Sequence, residues 1–95
     1  MFFVLIVETP VSTGQINLAW ADNSSNEDGF KIERCQGKGS TCTKNFAQIA
    51  QVGAGVTSYS DIGLTGSTAY SYRMRAFNSG GNSGYSNTAN TKTLR

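Results

Sequence analysis

The chain is 95 residues long and 38% hydrophobic, enough for one thin core and too short for a second domain. Eight Lys and Arg against six Asp and Glu leave a net charge of +2, spread without a basic run, so nucleic-acid binding is not expected. Histidine is absent, which removes the commonest general base and zinc ligand, so neither an enzyme nor a metal or cofactor site is expected.

Residues 1–10 form an apolar N-terminal segment. Met1 to Val7 are apolar on both faces of a strand, and Pro10 is expected to stop the ladder. The segment lacks the basic start and small-residue exit of a secretory signal, and it is too short to span a bilayer. It reads either as the first strand or as an assembly strand. In the second case Phe2, Phe3, Val4, Leu5, Ile6 and Val7 meet another copy of the chain by edge pairing or face packing.

Residues 11–95 alternate like a series of short strands. Ile16, Leu18 and Trp20 point inward from the second strand, and Asp22–Gly29 is a polar loop of turn formers. Asp22, Glu27 and Asp28 lack the spacing of a calcium loop, and turn-capping hydrogen bonds account for them. In the third strand Phe30, Ile32 and Arg34 alternate with Lys31, Glu33 and Cys35. Cys35 and Cys42 bracket a glycine-containing turn, where a disulfide can join the arms of a hairpin if the two Cβ atoms face each other. Two free thiols and half of a zinc site are the alternatives, and a redox dithiol would normally be Cys-x-x-Cys beside a helix. A disulfide implies an oxidising compartment and therefore export.

A return strand over Phe46–Val52 breaks at Gly53, and a short strand over Thr57–Asp61 leads into a turn ending at Leu64. Six residues later Tyr70 opens a strict alternation, with Tyr72, Met74 and Ala76 on its own face and Ser71, Arg73 and Arg75 on the other. One face is expected to be buried and one wet. A tyrosine starting such a strand after a leucine-bearing turn is the pattern of a tyrosine corner, whose hydroxyl reaches back to the preceding backbone. This places the chain among immunoglobulin-like β-sandwiches. Asn78–Gly84 reads as a hairpin loop, Tyr85–Thr93 as a polar last strand, and no segment carries helical periodicity.

Taken together, Ile16-x-Leu18-x-Trp20, the Asp22–Arg34 stretch, Tyr59-x-Asp61-x-Gly63-Leu64 and Tyr70-x-Tyr72-Arg73-x-Arg75-Ala76-x-Asn78 resemble fibronectin type III domains, especially the bacterial extracellular kind. The resemblance runs from Ile16 to Thr93. It implies an all-β, immunoglobulin-like, seven-stranded two-sheet sandwich without a cofactor, with Trp20 and Tyr72 at the core centre and Leu64 and Tyr70 at the corner. The Arg-Gly-Asp tripeptide of some animal members is missing, so that adhesive activity does not carry over.

The function expected from these features is a non-catalytic extracellular or cell-surface module. It acts as a spacer, adhesion or assembly domain whose partners are other protein domains or copies of itself. One alternative is a self-assembling subunit of a filament or surface layer, using the N-terminal strand. Another is binding of carbohydrate or protein through the loops Asp22–Asp28 and Asn78–Ser83, expected at one end of the sandwich. Those loops carry no aromatic platform for a sugar ring, so a glycan is the weaker ligand.

Overall fold

The computed structural model describes residues 4–22, 27–37, 46–82, 84–85 and 88–94, with backbone alone at 4–9, 21 and 22. The strands are β1 (Val4–Pro10), β2 (Ile16–Asp22), β3 (Gly29–Gln36), β4 (Ala47–Gly53), β5 (Ser58–Asp61), β6 (Ala69–Asn78), β7 (Gly81–Asn82) and β8 (Ala89–Lys92). One antiparallel sheet has the order β1-β2-β5. The other has the order β4-β3-β6-β7, with β8 also paired to β6. This is an all-β sandwich of two sheets.

The last strand expected over Tyr85–Thr93 is observed as β8, and a further short strand, β7, lies within the expected Asn78–Gly84 loop. Asn78 pairs with Gly81 and Phe77 with Asn82, while Ala89–Lys92 pairs with the opposite end of β6. The anticipated loop over Asn78–Gly84 is therefore a two-residue hairpin turn at Ser79-Gly80. It closes because the Asn78 side-chain oxygen accepts the Gly80 N–H at 2.8 Å. As expected, the β1 ladder stops at Pro10, its last paired residue, opposite Ile16.

Alternation along the strands builds the core directly. Ile16, Leu18 and Trp20 from β2 face Phe30 and Ile32 from β3 and Tyr70, Tyr72, Met74 and Ala76 from β6, all of them buried. Fully burying a side chain of this size stabilises by about 1.5–3 kcal/mol. Trp20 is not the most buried aromatic residue, because it keeps 6% of its surface while Phe30 and Tyr72 keep none. A side chain as large as tryptophan is rarely enclosed completely. Its ring neighbour is Phe30, edge-on at 5.8 Å and 62°, and its buried indole N–H has no hydrogen-bond partner among the described residues.

Between β5 and β6 the chain turns through Gly63, whose φ of 75° belongs to the left-handed region that glycine enters without strain. The Leu64 N–H donates to Gly14 O at 3.1 Å. The Tyr70 hydroxyl oxygen accepts the Thr65 N–H at 3.0 Å. Leu64 itself is half-buried against the core rather than within it. Buried Thr93 fastens the same corner from the C-terminal side: its hydroxyl donates to Thr65 O at 2.6 Å and accepts the Thr68 N–H at 3.0 Å. At the opposite end of the sandwich, Gly29 starts β3 where any Cβ would collide with Val52 O and lie 3.0 Å from the Phe77 ring. The close approach of β4 and Phe77 therefore requires glycine there.

Candidate interaction surfaces

Ionisable side chains are concentrated in three places: between the sheets, on the outer face of the second sheet, and at the end formed by the β2–β3 and β6–β7 connections. Between the sheets, Arg34 shares its strand face with Phe30 and Ile32, so its charge points toward the core and needs a partner there. Asp61 from β5 in the opposite sheet supplies it, with Arg34 Nη1 2.9 Å from each carboxylate oxygen. The Tyr72 hydroxyl donates to Asp61 Oδ2 at 2.7 Å. Asp61 is 4% exposed, so one carboxylate fastens β3 and β6 to β5.

Titration behaviour follows from this packing. Burial raises the Tyr72 pKa far above its ordinary value, and donation to the Asp61 carboxylate raises it further. For Arg34, burial alone lowers the pKa, but the hydrogen bond to Asp61 and its negative charge outweigh that and leave it raised.

The outer face of the second sheet departs from the simple alternation, because the side expected to be wet is largely covered. Ser71 is 1% exposed and donates to Gly37 O at 2.8 Å. Glu33 is 6% and Cys35 4% exposed. The cover is a stack of rings and guanidinium groups. The Arg73 guanidinium carbon lies 4.3 Å from the Phe46 ring centre and 3.8 Å from that of Tyr85, and Arg75 lies 4.7 Å from Tyr85. Glu33 holds the stack from beneath. Its carboxylate accepts Arg73 Nε–H at 2.8 Å and the Tyr85 hydroxyl at 3.0 Å. Beside it Lys31 lies 5.2 Å from the Phe77 ring centre and donates to the Asn82 side-chain oxygen at 3.0 Å.

At the end of the sandwich, the Asp28 N–H donates to Phe77 O at 2.7 Å. That bond brings the end of the acidic loop against the β6–β7 hairpin, as expected of Glu27 and Asp28; residues 23–26 lie outside the described residues. A cavity of about 180 Å³ opens there, lined by Glu27, Ala76, Phe77, Asn78 and the Gly80–Asn82 turn.

The remaining sequence-derived residues are placed as follows. Cys35 is buried and no described cysteine is free, while Cys42 lies outside the described residues. Phe2 and Phe3 also lie outside them. Val4, Leu5, Ile6 and Val7 are ladder residues of β1. Among the described residues no group of three or more acidic, cysteine or histidine side chains could hold a metal. No described helix is long and apolar enough to cross a membrane. Sequence reasoning gives Tyr85 and Phe46 no role, and it names Asp61 and Glu33 only within the motifs of the resemblance, without their partners. A signal for the partner of Asp61 is the charged Arg34 on an inward strand face.

Neither protein-family models nor curated proteins match this chain. Solved structures do. The FN1-FN3 domains of chicken CNTN1 superpose with a TM-score of 0.79 at 21% identity, over 95% of this chain and 29% of that one. The 6th fibronectin type III domain from human fibronectin type III domain containing protein 3 superposes with a TM-score of 0.75 at 20% identity, over 95% of this chain and 81% of that one. Pectate lyase PelI from Erwinia chrysanthemi, in complex with tetragalacturonic acid, superposes with a TM-score of 0.81 at 16% identity, over 94% of this chain and 28% of that one. The chain thus spans less than a third of the contactin-type and lyase structures it resembles. It has the fibronectin type III fold.

Proposed function

We propose that the chain is a non-catalytic extracellular module, a spacer, adhesion or assembly domain of a secreted or surface protein of the bacterial kind. The observation that carries this reading is where its charges go. Arg34, Asp61 and Tyr72 join the two sheets, and Glu33, Arg73, Arg75 and Tyr85 lock one outer face. Groups engaged in this way fix a surface instead of meeting a reacting substrate. The chain matches 28% of the length of a pectate lyase chain, which supports a sandwich that forms part of a longer protein. Export is the second half of the reading and rests on a disulfide proposed between Cys35 and Cys42, in keeping with Cys35 not being free. Natively exported protein is expected to show no thiol by Ellman titration before reduction and no turnover of polygalacturonate. Two free thiols would end the export half, and turnover would end the non-catalytic half.

A second reading, self-assembly through the N-terminal strand, is favoured by the register of β1. Leu5 pairs with Ala21 and Val7 with Ala19, and Ala19 is exposed. In register, Leu5 and Val7 thus share the side of the ladder on which Ala19 is exposed. Removing residues 1–8 would also strip most of β1 from β2, so full-length Leu5→Lys is the cleaner probe. Size-exclusion chromatography is expected to show a concentration-dependent oligomer that Leu5→Lys abolishes. Wild-type protein that stays monomeric at high concentration would leave the module reading alone.

A further inference from the structure

The cavity at the loop end is lined by one acidic side chain, Glu27. One of its carboxylate oxygens, Oε1, is buried and accepts no hydrogen bond among the described residues, although a buried carboxylate oxygen left unpaired is costly. The neighbouring polar groups are already engaged: the Asn78 side-chain oxygen accepts the Gly80 N–H, and that of Asn82 accepts Lys31 Nζ–H. Lys31, the cation beside the cavity, is held by Asn82 and Phe77. Among the described residues no positively charged donor pairs with Glu27.

We propose that this cavity receives a single basic side chain, arginine or lysine, from a protein partner, with Glu27 as its counter-ion. Size supports one side chain: about 180 Å³ falls below the roughly 300–1,000 Å³ of pockets that enclose a whole small molecule. Composition supports a cation on an apolar stem, because Ala76 and Phe77 form an apolar wall next to the carboxylate. A calcium ion fits poorly, since one carboxylate falls well short of the six to eight oxygens it takes. The inference goes beyond the module reading, needs neither export nor self-association, and its failure would leave that reading standing.

The test is a ¹⁵N–¹H correlation titration of the full chain at low salt with Nα-acetyl-arginine amide, Nα-acetyl-lysine amide, the neutral glutamine analogue and calcium chloride. Saturable shifts are expected with either basic probe, centred on Glu27, Asn78, Gly80 and Asn82, with a dissociation constant on the order of millimolar. Glu27→Gln, checked for native spectral dispersion, is expected to weaken binding about tenfold. Asp28→Asn, which removes a neighbouring exposed charge, is expected to leave it unchanged. The proposal is overturned if neither basic probe shifts these amides, if the glutamine analogue shifts them equally, if Glu27→Gln binds as wild type does, or if calcium alone acts there.

Discussion

Tyr70 and Tyr72 lie two residues apart on one face of one strand, yet their hydroxyls have opposite hydrogen-bond roles. Tyr70 accepts the Thr65 N–H at the corner, whereas Tyr72 donates to the Asp61 carboxylate between the sheets. Tyr70→Phe leaves the Thr65 N–H unpaired in the corner and is expected to cost about 1–3 kcal/mol by urea denaturation. For Tyr72 the consequence appears in pH. Its pKa is raised on folding, so the stabilisation is fully present below the ordinary tyrosine value of about 10 and is lost as pH rises beyond it. Stability measured between pH 8 and 11 is expected to fall toward the alkaline end, and Tyr72→Phe should flatten that part of the curve. An equally steep curve in Tyr72→Phe would assign the alkaline loss to other groups.

At the scale of strands, period-two alternation indicates which residues share a face but not what lies over that face. Tyr70 to Ala76 illustrate the success, because their inward set forms the middle of the core. Ser71, Arg73 and Glu33 illustrate the limit. Ser71 and Arg73 are expected on the wet face, but Phe46 and Tyr85, distant in sequence, stack over Arg73, and Tyr85 donates to Glu33. The pairing of Asp61 is hidden from the sequence for the same reason: its partners Arg34 and Tyr72 belong to strands of the other sheet, which no local pattern links to β5. The stack predicts a difference between two cations at position 73. Arg73→Ala leaves Glu33, 8% exposed at its side chain, without its ion pair and is expected to cost about 1.5–3 kcal/mol. Arg73→Lys keeps the charge but loses the planar group that lies along both rings, so it should recover only part of that loss. Full recovery by lysine in urea melts would show that charge, not stacking, holds this face.

Across the whole molecule, the two sheets are joined by more than apolar contact. The principal extents are 41 × 25 × 17 Å, a flat sandwich in which a single buried carboxylate links strands of opposite sheets at mid-layer. Near the corner the Leu94 N–H donates to Ser12 O at 3.1 Å, tying the chain beyond β8 to the chain beyond β1. A fold shared with many proteins does not specify a partner, so what distinguishes this chain is how its charges are placed on that fold. The central claim is that Asp61 fastens the sandwich. Equilibrium urea denaturation of Asp61→Ala tests it most directly, because the change strands the Tyr72 hydroxyl and removes the counter-ion of Arg34 together. A loss of about 3–5 kcal/mol is predicted, as for one partner removed from a buried ion pair, with a cooperative transition retained. A variant within about 0.5 kcal/mol of wild type, the range of ordinary surface substitutions, would contradict the account.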